Sequence, residues 1–106
     1  MHWQNLTSEQ QFLDLLSNEP LFAIFKHSTR CSISSMAKNR LEREWNLDFP
    51  AYYLDLLNYR TISNLIAEKS GVEHQSPQLI VFQHGKVIYH ASHNAIIVDE
   101  INVEKV

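Results

Sequence analysis

Hydrophobic positions along the chain recur first with a helical spacing and then with a strand spacing. Thr7-Ser8-Glu9-Gln10 has the form of a capping box, and apolar residues follow at positions 12, 13, 15 and 16 before Glu19-Pro20. This pattern predicts a first helix. The next residues, 21–25, are a continuous run of apolar side chains, which is typical of a strand buried on both faces of a sheet.

A second helix is predicted from Cys31 to about Trp45. Apolar residues at positions 33, 36, 41 and 45 are spaced to share one helix face, and the charged residues between them can face water. The same criteria predict a strand over 51–57, a helix from Arg60 to a stop at Ser70-Gly71, strands over 78–83 and 87–91 joined by a hairpin loop at 84–86, and a final helix over 92–106.

The order of these elements indicates an α/β fold. Strands separated by helices need right-handed crossovers and pair in parallel, and the closing hairpin adds antiparallel strands to the same sheet. This is the thioredoxin-like arrangement, with a central mixed four-stranded sheet flanked by helices. No repeat or low-complexity linker interrupts the chain, so residues 1–106 are predicted to form a single thioredoxin-like domain.

Composition and charge argue against several kinds of partner, location and bound metal. The net charge of −3 gives no general attraction to phosphate backbones or anionic lipid, so neither nucleic acid nor membrane is an expected partner. The sequence has no secretory leader pattern and no apolar run of bilayer length, so a cytoplasmic location is expected. The six histidines show no zinc-site spacing and are expected at the surface or in turns, with no metal bound.

Cys31 is the only cysteine and is the candidate nucleophile. A thiol at a helix start lies near unpaired backbone N–H groups and the positive end of the helix dipole, and both favour the thiolate. A solitary cysteine is more often a small buried apolar residue, but the neighbours of Cys31 are polar. Because the chain has no second cysteine, any disulfide must form with a partner.

Polar residues on both sides of Cys31 are candidate substrate contacts. Arg30 is either an ordinary solvated cation or a group that stabilises the thiolate and attracts a carboxylate on a thiol substrate. Thr29, Ser32 and Ser34 offer hydroxyl groups for helix capping or for substrate contact, and the sequence does not separate these roles.

Two further residues are expected near this segment. His27 ends the first predicted strand, where it could act as a base, but a packing role is more usual for a histidine in that position. Pro77 stands directly before the third predicted strand, preceded by Ser76. In a thioredoxin-like fold the proline at this point is normally cis and lies beside the reactive cysteine, so we expect a cis Ser76–Pro77 bond.

The residues Lys26-His27-Ser28-Thr29-Arg30-Cys31-Ser32-Ile33-Ser34, with Ser76-Pro77 and Trp3, resemble the bacterial monothiol bacilliredoxin family over nearly the whole chain. A Thr-x-Cys-x-Ile-Ser core replaces the two-cysteine motif of ordinary thioredoxins. Many members have proline directly after the nucleophile, where this chain has Ser32; the nucleophile itself is retained.

The resemblance implies a thiol–disulfide oxidoreductase that removes bacillithiol from S-bacillithiolated proteins through a mixed disulfide on Cys31. It implies bacillithiol as co-substrate with no bound cofactor, regeneration by a low-molecular-weight thiol and a separate reductase system, and a substrate-facing role for Ser76 and Pro77. Two alternatives remain. One is a monothiol glutaredoxin-like protein that uses glutathione or binds an iron–sulfur cluster. The other is a non-catalytic thioredoxin-like binding module.

Overall fold

The computed structural model describes residues 2–28 and 32–101. Five strands and three α-helices form this part of the chain, followed by two short 3₁₀ helices. In chain order they are β1 (Trp3–Asn5), α1 (Glu9–Asn18), β2 (Leu21–His27), α2 (Ser32–Glu44), β3 (Ala51–Asp55), α3 (Arg60–Ser70), β4 (Gln78–Gln83), β5 (Lys86–Ser92), and the 3₁₀ helices His93–Ala95 and Val98–Glu100.

The strands form one mixed sheet in the order β1-β3-β2-β4-β5. Strands β1, β3 and β2 are parallel, whereas β4 pairs antiparallel with both β2 and β5. The predicted thioredoxin-like α/β fold is confirmed, with one strand more than the four expected. The additional strand, β1, has three residues, too few for a periodic pattern to be visible in the sequence.

Local signals set the helix ends close to where the sequence predicts them, although the cap of α1 is Ser8 rather than Thr7, the first residue of the predicted capping box. Ser8 caps α1, because its Oγ accepts a hydrogen bond from the backbone N–H of Gln11 at 3.1 Å. Gly71 ends α3 in the left-handed conformation, with φ of 73°, and its N–H donates to the carbonyl of Ala67. Within the described residues, α2 begins at Ser32, directly after Cys31 in the chain.

The hairpin between β4 and β5 is one residue tighter than predicted. His84 and Gly85 alone form the turn, with φ angles of 51° and 78°. Positive φ at both turn residues is typical of the two-residue turn that matches the right-handed twist of paired strands. Lys86, expected in the loop, is instead the first residue of β5.

The prediction of a final helix over 92–106 is wrong for residues 92–101. The chain forms two 3₁₀ turns there, and residues 102–106 lie outside the described part. Ile96, Val98 and Ile101 are all buried under the sheet. At 100° per residue, Ile96 would face away from the other two, so one α-helix could not bury all three.

Each face of the sheet carries its own layer of apolar side chains. On the α1 and α3 side, Phe22 is fully buried and stacks on Phe82 with ring centroids 4.9 Å apart. On the α2 side, Phe25 packs with Leu41 and Ile96. Within the described ranges, no helix has the length and apolar character required to cross a membrane.

Candidate active site

The predicted site residues come from chain segments that meet at one edge of the sheet. β2 ends at His27, which is paired with Asp55 at the end of β3. On the other side of β2, Lys26 pairs with Gln78, the first residue of β4. Residues 28–31 follow β2 directly, so the chain leaves the sheet for Cys31 at the edge where the Pro77 segment enters it.

Three of the predicted site residues, Thr29, Arg30 and Cys31, lie outside the described part of the chain. Their roles, and the position of the thiol relative to Pro77, therefore stay predictions. The residues that flank them on both sides are described, and these define the surroundings of the segment.

The Ser76–Pro77 peptide bond is cis, as expected from the sequence. Pro77 is buried, and its carbonyl accepts a hydrogen bond from the backbone N–H of His93 at 3.0 Å. Gln78 pairs with Lys26 on one side and with Ser92 on the other. The proline is therefore held between the end of β5 and the strand that leads to Cys31.

The three predicted serines differ in exposure. Ser32 is exposed as the first residue of α2, Ser34 is fully buried, and Ser76 is half-buried. The Oγ atoms of Ser34 and Ser76 are buried and have no hydrogen-bond partner among residues 2–28 and 32–101. These two buried hydroxyl groups therefore have no bond to the described part of the chain, and buried hydroxyl groups normally have a partner.

His27 is a packed side chain. Only 4% of its surface is exposed, and its ring lies 5.7 Å from the ring of Phe25 and 5.3 Å from that of Tyr53. Burial lowers the pKa of His27, and the Lys38 cation lowers it further, although Asp55 and the Ser34 backbone act in the opposite direction. A neutral, stacked imidazole agrees with the packing role expected from the sequence.

Trp3 connects β1 to the helix that follows Cys31. Its indole Nε1 donates to Glu42 Oε1 at 2.7 Å, and Lys38 Nζ approaches the same oxygen at 2.7 Å. The Trp3 ring also lies against Phe25 and Tyr53, with centroid distances of 5.6 and 6.2 Å. These contacts fix one face of α2 to the β1 side of the sheet. The sequence offered no signal for them beyond the family resemblance.

The opposite face of α2 contacts the chain after β5. Arg40 donates to the backbone carbonyls of His93 and Ile96, both at 3.1 Å. Beside it, Met36 is 70% exposed and lines a pocket of about 140 Å³ together with Asn94. The prediction that Met36 shares the buried helix face of Leu41 is wrong, because a separation of five residues places them about 140° apart around the helix, and the buried face carries Ala37 and Leu41 instead.

A buried cation near the same edge was missed by the sequence analysis. Lys26 is fully buried, and its Nζ lies 3.3 Å from the Ser63 carbonyl and 3.4 Å from His74 Nδ1. Burial and the nearby Arg60 lower the pKa of Lys26 to about 8. The expectation that the histidines lie at the surface or in turns is wrong for His27, which is 4% exposed. His74 lies in the loop before β4, but its ring is half-buried and contacts Lys26 and Ser63. Within the described ranges, no three His, Cys, Asp or Glu side chains are grouped to hold a metal ion.

Comparison with protein families gives a match to the monothiol bacilliredoxin family (BrxC), whose family model covers residues 4–101. Among solved structures, a protein assigned as an oxidoreductase with a thioredoxin fold superposes with a TM-score of 0.81 at 31% sequence identity. The match covers 90% of this chain and 86% of that one.

More distant matches include two thioredoxins. That of Trypanosoma brucei brucei has a TM-score of 0.70 at 18% identity, with 85% of this chain and 77% of that chain covered. That of Malassezia sympodialis has a TM-score of 0.65 at 20% identity, with 86% and 78% covered. At these identities the likeness establishes the thioredoxin fold and nothing finer.

Proposed function

Because this chain belongs to the monothiol bacilliredoxin family, we propose that it is a thiol–disulfide oxidoreductase that removes bacillithiol from S-bacillithiolated proteins. The family match over residues 4–101 is the observation that carries the proposal. The fold supports it, because the cis Ser76–Pro77 bond and the end of β2 lie at one edge of the sheet. Family and fold together support a monothiol redox protein of thioredoxin fold.

The reaction requires two thiol exchanges. The Cys31 thiolate attacks the bacillithiol sulfur of a protein mixed disulfide, a new disulfide forms between Cys31 and bacillithiol, and the protein thiolate leaves. The thiolate of a second bacillithiol then attacks the bacillithiol sulfur of this adduct. It releases the Cys31 thiolate and forms bacillithiol disulfide. No electrons are gained or lost overall, since one disulfide is exchanged for another in each step.

The other site residues have supporting roles in this proposal. Arg30 stabilises the thiolate or attracts a substrate carboxylate. The hydroxyl groups of Thr29, Ser32 and Ser34 contact the low-molecular-weight thiol, and Ser76 with Pro77 faces the extended segment of the protein substrate. Ser32 is exposed, which supports such a contact, and the Oγ atoms of Ser34 and Ser76 have no hydrogen-bond partner among the described residues.

The sequence contains one cysteine, so the protein cannot resolve its own adduct. Bacillithiol is therefore a co-substrate, and a separate reductase has to return bacillithiol disulfide to the thiol. We propose that it acts in the cytoplasm on bacillithiolated client proteins.

The proposal is tested with a small protein whose single exposed cysteine has been converted to the mixed disulfide with bacillithiol. Wild type and Cys31→Ser are incubated with it, with and without free bacillithiol, and intact masses are followed. We expect the wild type to release the substrate thiol and to gain one bacillithiol, which free bacillithiol then removes. Cys31→Ser should do neither, whereas Ser35→Ala, a half-buried change on the same helix, should behave as wild type.

Equal release by wild type and Cys31→Ser would show that the proposed mechanism is wrong. A faster reaction with the glutathione mixed disulfide, or visible absorbance after anaerobic purification, would favour the glutaredoxin-like alternative. If Cys31 alkylated with an ordinary thiol pKa near about 8.5 and exchanged with neither substrate, a binding module would be the better description.

A further inference from the structure

Two buried polar side chains lie opposite each other at the site edge of the sheet. Lys26 on β2 and Gln78 on β4 are register partners, so their side chains project from the same face. Lys26 is fully buried and Gln78 is 2% exposed. Both reach the chain between α3 and β4, residues 72–77, which we call the proline loop because it ends in Ser76-Pro77.

Gln78 holds the proline loop by two hydrogen bonds to its backbone. The side-chain Nε2 donates to the carbonyl of Glu73 at 2.9 Å, and Oε1 accepts from the N–H of Gln75 at 3.4 Å. A single side chain therefore satisfies backbone groups on both sides of His74.

Lys26 holds His74 itself. Its Nζ lies 3.3 Å from the Ser63 carbonyl on α3 and 3.4 Å from His74 Nδ1, and Ser63 Oγ lies 3.1 Å from the same nitrogen. An ammonium group has no lone pair, so Nδ1 is the acceptor in its bond with Lys26 and the imidazole proton is on Nε2. Lys26 thus connects β2, α3 and the proline loop.

This arrangement is costly for stability, which argues for a specific role. Burying an ammonium group is unfavourable unless a counter-charge is close, and the charge that acts on Lys26 from the described part of the chain is another cation, Arg60. An apolar residue would fill the position at lower cost. Buried polar groups of this kind can offset their cost by fixing neighbouring segments in one arrangement.

We infer that Lys26 and Gln78 are positioning residues that clamp residues 73–75 and so hold Ser76–Pro77 in place for the protein substrate. The inference rests on the proposed function for its substrate half. Its chemistry requires a neutral His74. A protonated Nδ1 would direct an N–H toward the Lys26 ammonium group, and the bond between them would be lost.

Acid should therefore release the clamp. Burial, Lys26 and Arg60 all lower the pKa of His74, so the imidazole is neutral near neutral pH. Lys26 on β2 and Arg60 on α3 are the charged groups that act on it. As the pH falls through this lowered pKa, His74 becomes charged beside two cations, and the proline loop should loosen.

The test uses substitutions at both ends of the Lys26–His74 bond. Lys26→Met keeps the length of the side chain and removes the donor. His74→Asn retains an acceptor close to the position of Nδ1 but cannot be protonated, whereas His74→Gln places its amide near the position of Nε2. Lys69→Met, an exposed change on α3, is the matched control.

Two measurements are made on each variant. Amide hydrogen exchange of residues 73–76 in the free protein reports the clamp without any substrate. KM and kcat with the bacillithiolated test protein, from pH 5 to 8, report its effect on substrate binding. We expect Lys26→Met and His74→Gln to exchange faster and to raise KM roughly three- to ten-fold, with kcat within about two-fold of wild type. His74→Asn should resemble wild type at pH 7 and lack its rise of KM in acid.

Unchanged exchange in Lys26→Met would overturn the clamp. Faster exchange with unchanged KM would overturn its role in substrate binding. If Lys26 and His74 had only a structural role, every variant would show a lower kcat, a higher KM and a lower stability together. His74→Asn would then not restore the behaviour of the wild type. If the wild type reacted with no mixed disulfide, the proposed function would fail, and so would the inferred effect of the clamp on substrate binding. Amide hydrogen exchange would still show whether the clamp itself exists.

Discussion

The guanidinium group of Arg40 on α2 donates a hydrogen bond of 3.1 Å to the backbone carbonyl of His93, the residue that follows β5. A second bond of the same length reaches Ile96, which is buried. Because the N–H of His93 donates to Pro77, a single side chain on α2 is linked through His93 to the proline loop.

Arg40→Met should lower the free energy of unfolding by about 1–2 kcal/mol, since two backbone carbonyls lose their charged donor. Met retains most of the aliphatic packing of arginine. Urea unfolding measures the effect, with Arg43→Met as control because Arg43 is exposed on the same helix. Equal losses in the two variants would show that the contacts with His93 and Ile96 contribute nothing.

Lys26→Met should remove a stability change at alkaline pH. The pKa of Lys26 is lowered from 10.5 to about 8, so between these values the unfolded chain binds a proton that the folded protein does not. Wild type should therefore gain stability as pH rises through this window, by an amount of the order of 3 kcal/mol. The variant should lack this gain and should be the more stable protein at pH 7.

The measurement is the difference in free energy of unfolding between wild type and Lys26→Met, determined at pH 7 and at pH 10. Taking a difference cancels the titration of groups common to both proteins. A constant difference over this range would contradict the depressed pKa of Lys26.

Glu42→Gln should remove a stabilisation that is present at neutral pH and lost in acid. Hydrogen bonds from Lys38 and then from Trp3 lower the pKa of Glu42 below its ordinary 4.5. The stabilisation is therefore complete above the ordinary pKa and is lost as pH falls through the lowered value. Because the Glu42 side chain is 36% exposed, we expect less than about 1 kcal/mol.

Unfolding of wild type and Glu42→Gln at pH 7 and pH 3 checks this effect, and 1 M salt should reduce it, because salt screens the attraction between exposed charges. Trp3→Phe removes one donor and should reduce the pH-dependent part without abolishing it. A larger difference at pH 3 than at pH 7 would reverse the expected sign.

Substitutions at the β4–β5 turn should act in opposite directions. His84→Asn should stabilise by about 0.5 kcal/mol, because Asn accepts positive φ more readily than His. Gly85→Ala should destabilise by about 1–2 kcal/mol, because a Cβ is strained at φ of 78° and would lie 3.3 Å from the Leu16 carbonyl. Thermal unfolding of both variants would contradict this reasoning if their shifts had the same sign.

Elements fixed by local chemistry were predicted well from the sequence. The ends of α1 and α3 depend on Ser8 and Gly71, residues whose capping behaviour requires no tertiary partner. The cis Ser76–Pro77 bond was also predicted, but only through the fold, because the dipeptide alone carries a weak preference.

Features that depend on distant partners were missed. β1 has three residues and exists because it pairs with β3. The last buried residues, Ile96, Val98 and Ile101, are covered by the sheet in 3₁₀ turns rather than in the expected helix. The burial of Lys26 depends on Ser63 and His74, which lie 37 and 48 residues away. The sequence around a lysine at the end of an apolar strand does not predict such distant partners.

The pairing of β2 with β4 also determines when the site can exist. Lys26 and Gln78 are separated by half of the chain, so the edge that carries the site is completed by one of the least local contacts of the molecule. Such contacts are costly in chain entropy and form late relative to local ones. A nascent chain that ends before β4 would already contain the cysteine and the proline loop but not the strand that holds them at one edge of the sheet, so its thiol would react without the selectivity of the finished protein.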